Sequence, residues 1–496
     1  MAVREATARS MPGGATDVSA ATLDAREREA LERLLADVDA ARDELATLLA
    51  SLVRLPTVNY GDGHPGRDGI PNGNETPCAE VLRARLAEDG ITAAIHESAP
   101  ARGNLIARLP RASRPPSGPL RPPSLLLMSH LDVVPVEDPE RWPYAPFGGV
   151  IAEGRVFGRG SQDAKSLAAC EVLVMQLLRR RGVALKGDLA LLAAADEESG
   201  GRFGAGWVVA QPELAAQVRA EVALNEGGGA AVHAPRGLGY LFATGEKGRL
   251  EVRIRIDGKP GHASAPWRAE NALERAGIVL ERLRTYQPVV DTSHPLFTEL
   301  PPLFELPAPL TPETLPQAIE RLEHSHRALG GSLRAASRLT LVPTMLHAGV
   351  KSNSIPGSCT IVCDARTLPH QDASYVEREL RRLLHDLPWA HVAVETTAIA
   401  NASPYDHPFR AVCGQALQLA LGREDARLLP SLCGGFTDSR FFRPLGVQVY
   451  DFMPLHPEAE ADDVGVHGTN ERIEIDGLVA RARFLMAAAC LYLGIA

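Results

Sequence analysis

Two imidazoles and three carboxylates stand after apolar runs or glycine-marked turns along this chain: His130, Asp163, Glu198, Glu226 and His467. Nitrogen and carboxylate donors gathered on one edge are how a protein holds zinc or a similar divalent ion. His130 closes the run SLLLMSH, and Asp132 follows on the same side of an extended chain. A carboxylate that accepts the other ring N–H of a ligating histidine fixes its tautomer and raises its basicity. His130 is therefore a candidate ligand and Asp132 its orienter.

Asp163 lies in GRGSQDAKS, between a strand-like run and a helix-like one. A single carboxylate there can bridge two metal ions, or it can cap the helix beside Ser161. Glu197 and Glu198 follow DLALLAAAD. Adjacent carboxylates after an apolar run are costly unless something positive compensates them. Neighbouring side chains point in different directions, so Glu198 can ligate while Glu197 faces a bound water as general base. A solvated acidic loop is the plain alternative. Glu226 in NEGGG offers a further terminal ligand where glycines let backbone approach, and His467 in VHGTNERI supplies the last nitrogen. Of the remaining histidines, His64, His96, His233, His347, His370 and His456 read as surface or core residues.

These positions need elements to carry them. Short apolar runs ending in polar or glycine signals fit strands buried on both faces of an α/β sheet, with ligands outside the strands' carboxyl ends. Residues 24–55 read as one helix, 56–77 as a Gly/Asn/Pro loop, and CAEVLRARLAEDG as a helix closed by Gly90. ITAAIHE and NLIARLP look like strands, and RASRPPSGPLRPPS is a proline-rich connector. Strands and helices then alternate from Leu125 to about residue 245. The pattern changes at LEVRIRID, where strict alternation marks a strand with one wet face. NALERAGIVLERLRTY reads as a helix opened by Ser264 and Pro266. TLVPTMLHAG, CTIVCDAR, the helix SYVERELRRLLHDL and HVAVETT complete a small α+β unit with an antiparallel sheet. The expected organisation is a disordered lead-in over 1–23, a first catalytic part over 24–245, an inserted domain over 246–399 and a second catalytic part over 400–496. The stretch 285–335 is an insertion without an evident place.

At 496 residues the chain exceeds the size at which one core keeps growing, so two or more domains are expected. Hydrophobic content of 45% and charged content of 23% are ordinary for a soluble globular protein. A net charge of −9 argues against nucleic acid or an anionic membrane surface as partner. The apolar stretches break before the ~18 residues a spanning helix needs. The first 20 residues lack the apolar core of a secretory signal, and seven cysteines suit a reducing cytoplasm. Cys359 and Cys363 read as small core residues.

In combination the motifs resemble the co-catalytic di-zinc amidohydrolases and peptidases: aminoacylase, acetylornithine deacetylase, succinyl-diaminopimelate desuccinylase, glutamate carboxypeptidase and the carnosinase-type dipeptidases. The resemblance runs from about Ser51 to the C-terminus and rests on SHLDVVP, GRGSQDAK, DEESGG, NEGG, GHAS and HGTNE in that order. It implies a zinc-peptidase-like α/β catalytic domain with a mixed, mostly parallel sheet. A smaller α+β lid or dimerisation domain with an antiparallel sheet would interrupt it. It implies two zinc ions per chain, with cobalt or manganese suiting the same donors. One ion would be held by His130, Asp163 and Glu226, the other by Asp163, Glu198 and His467. Glu197 would be the general base of a metal-bridged hydroxide, and His262 the lid histidine that donates to the oxyanion. Asn353 matches a lid asparagine near the substrate, and Arg366 and Arg440 are candidates to clamp a substrate carboxylate. Two departures stand out: Ala164 after the bridging aspartate, where the family often has a cis peptide, and Phe436 within GGFTDSR.

The activity implied is hydrolysis of an amide next to a free carboxylate, by an N-acyl amino acid deacylase or a carboxypeptidase. A dipeptidase is the alternative, and a non-catalytic metal-binding scaffold the remote one. Serine or cysteine hydrolysis is disfavoured, with no G-x-S-x-G and no cysteine beside a histidine. The partner is then a small molecule, an N-acyl amino acid or short peptide. Relatives pair two subunits through the small domain, and the sheet edge here allows the same.

Overall fold

The computed structural model describes residues 23–111, 119–459 and 465–496. The expected lead-in lies, but for its last residue, outside them, as does the middle of the proline-rich connector.

Four strands at the heart of a ten-stranded sheet are parallel neighbours: Asp188–Ala194, Ser124–His130, Val222–Asn225 and Gln448–Asp451. Antiparallel strands Gly103–Leu109 and Ala93–Glu97 extend one side, while Gly237–Glu246 begins the other. The apolar runs are buried on both faces because alternate residues enter different cores. Leu125, Leu127, Leu189 and Leu191 pack with helices Lys165–Arg180 and Ile475–Leu493. Leu126, Met128, Ala190 and Leu192 pack with Ala205, Val208 and Leu214 on the opposite side. Being parallel, the four central strands all end at one carboxyl edge, where the polar residues follow.

The second sheet has four antiparallel strands in the order Thr340–Ala348, Ser358–Thr367, Gly248–Asp257, Ala390–Ala398. In Gly248–Asp257 Leu250, Val252, Ile254 and Ile256 are buried and the residues between them are not. Helices Ala272–Thr285 and Ala373–Leu383 cover the buried face, and Cys359 and Cys363 lie in that core.

Three local features differ from the sequence reading. The helix expected over 24–55 breaks at Ala41 (φ −85°, ψ 11°) into Ala25–Ala40 and Arg42–Val53. No proline or glycine marks the break, because both halves keep their apolar faces on the same core. The helix Ala272–Thr285 is opened by Asn271, whose Oδ1 accepts the Leu273 N–H at 3.0 Å. Ser264 instead meets the His262 ring, and Pro266 starts a separate turn, Pro266–Arg268. Finally, the unplaced stretch does not belong to the small sheet's core. Phe297, Leu303, Leu315, Ile319 and Leu333 form a core of their own against Val232 and Leu429 of the large sheet.

Candidate active site

His130 is the last residue of its strand, Glu197–Ser199 is a turn after Asp188–Ala194, and Glu226 follows Val222–Asn225. Asp163 ends the turn before helix Lys165–Arg180, and its bond to Ala164 is cis. His467 stands in the 465–471 loop with a left-handed φ of 56°.

His130 Nε2 lies 3.0 Å from Asp163 Oδ1 and 3.1 Å from Glu226 Oε2. His467 Nε2 lies 3.3 Å from Asp163 Oδ2 and 3.2 Å from Glu198 Oε2. Two donor sets result, and Asp163 turns one oxygen to each.

The electrostatics fit divalent cations at both sets. Burial alone would lower the His130 imidazole, yet Glu226, Asp132 and Asp163 raise it well above its usual range. Hydrogen bonding to Asp163 and Glu198 lifts His467 to about 10. Burial, then the charge of Asp163, pushes Glu226 up to about 8. Burial and the neighbouring carboxylates Glu226, Asp438 and Glu198 push Glu197 well above the carboxylate range. A crowd of buried carboxylates is being neutralised by protons on the ligand-type groups, which is where metal cations would take over. The nearby Lys165 does not serve: its Nζ donates to the carbonyls of Leu52 and Leu55 at 3.1 and 2.7 Å.

Asp132 is fully buried and carries two kinds of load. His130 Nδ1 meets the Asp132 backbone carbonyl at 3.0 Å, with the Asp132 carboxylate 3.4 Å away, and that carboxylate accepts the backbone N–H groups of Glu197 and Glu198, each at 3.1 Å. The Glu197 side chain is shifted by burial and charge, with no hydrogen-bond partner among the described residues, so its carboxyl is uncommitted.

Several supports were not visible in the sequence. Asn59 Nδ2 donates to Asp132 at 2.8 Å and to Asp196 at 3.0 Å, while its Oδ1 accepts the Ser199 hydroxyl at 2.7 Å. Nothing in PTVNYGDG sets that asparagine apart. Glu471 accepts the N–H groups of Gly160, Gln162 and Asp163 and the Arg159 guanidinium, all at 2.6–2.9 Å, and so holds the Asp163 turn. Its one signal was its place four residues after His467.

The expected lid and clamp residues lie apart from the donor sets. His262 and Asn353 sit together on the ribbon Gly261–His262/Ser354–Ile355, with His262 exposed and its Nδ1 2.7 Å from Ser264 Oγ. Arg366 spans Asp364 (2.7 Å) and the Gly434 carbonyl (3.3 Å). Arg440 donates to the Gly200 carbonyl at 2.5 Å, and its guanidinium lies 4.1 and 4.8 Å from the Phe436 and Phe441 ring centroids. Phe436 thus stacks on Arg440, and Arg440 braces the turn that follows Glu198.

The family model for peptidase family M20/M25/M40 matches residues 126–490. The chain belongs to that family. It is a hydrolase of a metal-dependent kind, with an α/β catalytic domain and a separate antiparallel-sheet domain. The N-fatty-acyl-amino acid synthase/hydrolase of Xenopus tropicalis is 25% identical over 460 residues, covering 89% of this chain and 85% of the relative. Aminoacylase-1 of Mus musculus is 27% identical over 361 residues, covering 71% and 76%. The M20 family metallo-carboxypeptidase Sso-CP2 from Sulfolobus solfataricus has the same fold at TM-score 0.63, 18% identity, and coverage of 90% and 99%. Among the described residues no helix is long and apolar enough to cross a membrane.

Proposed function

We propose that the chain cleaves the amide bond of N-acyl amino acids, next to a free carboxylate. Two divalent ions would be held by His130, Asp163 and Glu226 and by Asp163, Glu198 and His467. The observation that carries the reading is the shared Asp163, one oxygen 3.0 Å from His130 and the other 3.3 Å from His467. Zinc suits these donors, as do cobalt and manganese. Bound there, the ions would supply Lewis-acid polarisation of the amide carbonyl and a water of lowered pKa.

The remaining chemistry falls to the chain's own groups. Glu197 takes the proton of the attacking water on its uncommitted carboxyl and passes it to the leaving amine, acting as base and then as acid. Asp132 fixes the Glu197 backbone and the His130 ring together, so base and ligand keep one geometry. His262 reaches an oxyanion through closure of the small domain, which also excludes water. Asn353 and Arg366 belong to that domain and would meet the substrate on the same closure, while Arg440 supports the Glu197 turn. The sequence relatives support an acyl amino acid over a free dipeptide, since both are named for acylated amino acids.

Two subunits pairing along the free edge strand Thr340–Ala348 would cover its exposed Val342, Met345 and Leu346. The test is metal content followed by hydrolysis of N-acyl amino acids and free dipeptides by zinc-loaded protein. About two metals per chain and cleavage of the acylated substrates are expected. Cleavage of dipeptides alone would move the assignment to a dipeptidase, and a protein that binds no metal would end it.

A further inference from the structure

The chain passes from the large sheet to the small one at Glu246–Gly248 and returns before Asn401, and the two crossings meet. Glu246 and Asn401 are register partners, and Asn401 Nδ2 donates to Glu246 Oε2 at 3.0 Å. Arg443 joins both, 3.3 Å from Glu246 Oε2 and donating to Asn401 Oδ1 at 2.7 Å. The other Glu246 oxygen faces away from the crossings. Oε1 accepts both the backbone N–H and the hydroxyl of Thr437 at 2.6 Å. Thr437 Oγ1 in turn accepts from Asn225 Nδ2 at 3.1 Å, and Asn225 is the residue before Glu226.

A second branch leaves the same threonine along the chain. Three residues on, Arg440 holds the Gly200 carbonyl, two residues after Glu198. Glu246, Thr437 and Asn225 are all buried, so the hydrogen bonds that link them to one another are made away from water. A buried carboxylate set among one guanidinium and neutral donors adds little stability for its cost; what such a group contributes is geometry.

We propose that Glu246 is a positioning residue that ties the attachment of the small domain to the alignment of Glu226 and of the Glu197 turn. The proposal rests on the reading of Glu226 as ligand and Glu197 as base. Movement of the crossings displaces the Glu246 carboxylate, and Thr437 conveys the displacement to Asn225 and to the 437–440 segment. A glutamine cannot replace Glu246, because its NH2 group would face either the Thr437 donors or the Arg443 guanidinium.

The experiment compares Thr437→Val, Thr437→Ser and Glu246→Gln in the full, zinc-loaded chain. Valine keeps the shape and removes the hydroxyl, whereas serine keeps the hydroxyl. Thr437→Val and Glu246→Gln are expected to lower kcat roughly three- to thirtyfold, with KM nearly unchanged and both metals retained. Thr437→Ser recovers most of the rate. Hydrogen exchange of the amides at 437–440 and 200–201 quickens in the two impaired variants alone. Equal rates for Thr437→Val and Thr437→Ser, or exchange unchanged in both impaired variants, would overturn the proposal. The exchange measurement needs no substrate. A wild-type chain inert on every amide therefore counts against the proposed function, while the exchange result still decides the role of Glu246.

Discussion

The Asp132 carboxylate accepts the Glu197 backbone N–H at 3.1 Å while lying 3.4 Å from His130 Nδ1. One residue thus orients both, its backbone carbonyl meeting His130 Nδ1 at 3.0 Å and its carboxylate, also beside that ring, holding the peptide that carries the base. Asp132→Asn places an NH2 group against the Glu197 and Glu198 N–H donors or against His130. Metal affinity is expected to fall roughly 10- to 100-fold, with kcat falling as well at saturating zinc. Metal titration and steady-state kinetics check this; unchanged values for both would leave Asp132 without its assigned role.

Among the described residues the Glu197 carboxyl has no hydrogen-bond partner, whereas that of Glu198 meets His467. Glu197→Gln should keep both metals and lose turnover by about 10²- to 10⁴-fold. Elemental analysis beside single-turnover kinetics separates the two effects. Loss of metal in this variant would make Glu197 a ligand, and retained turnover would remove it as the base.

Metal loading should release protons. Without metal, His467 is raised to about 10 and Glu226 to about 8, so both carry protons at neutral pH. Ligation requires neutral imidazole and ionised carboxylate. Zinc binding at pH 7 is expected to release roughly two protons or more per chain, and apparent affinity rises with pH. Calorimetry in buffers of different ionisation enthalpy measures the number directly. Zero release would mean that the ion sits elsewhere.

Much of the site was legible because its chemistry is carried by residue type at strand ends. Leu125 to Met128 and Leu189 to Ala194 are apolar at every position, so the residues after them had to emerge at a sheet edge. The small sheet was equally plain in the alternation of Leu250 to Ile256. The supports were not legible, since Asn59 and Thr437 act through partners more than 70 residues away in sequence. The break at Ala41 was hidden for a related reason: core packing, not a breaker residue, sets it. The insertion had ordinary amphipathic helices, and only the folded chain shows that Val232 and Leu429 receive them.

His294 lies near the start of that insertion, its Nε2 3.4 Å from Thr244 Oγ1 of the large sheet. Burial lowers its imidazole from 6.5 to about 4, with Asp291 opposing. The neutral ring accepts the Leu296 N–H at 3.2 Å. Protonation is disfavoured in the folded state, so this contribution is complete above pH 6.5 and is lost as pH falls towards about 4. The loss is about 2 kcal/mol at pH 5. Thermal unfolding of wild type and His294→Gln at pH 7.5 and pH 5 reads the difference. The variant is expected to lose less stability on acidification, and parallel losses would assign the acid sensitivity to other groups.

His262 is exposed on its ribbon and absent from both donor sets, although closure would be needed to bring any histidine of that domain to a substrate. The edge strand Thr340–Ala348 exposes Val342 at 53%, Met345 at 53% and Leu346 at 43%, apolar surface on an edge open to pairing. We propose that two chains pair along that edge and that each His262 then serves the other chain's metal site. Chains bearing Glu197→Gln and chains bearing His262→Ala are each expected to be inactive alone. Mixed at equal concentration and allowed to exchange, half of the dimers contain one intact site, and activity returns to roughly a quarter of wild type. Complementation at that level places the histidine across the dimer. Two inactive chains that remain inactive together, while sedimentation shows that they have exchanged, would place His262 over the site of its own subunit.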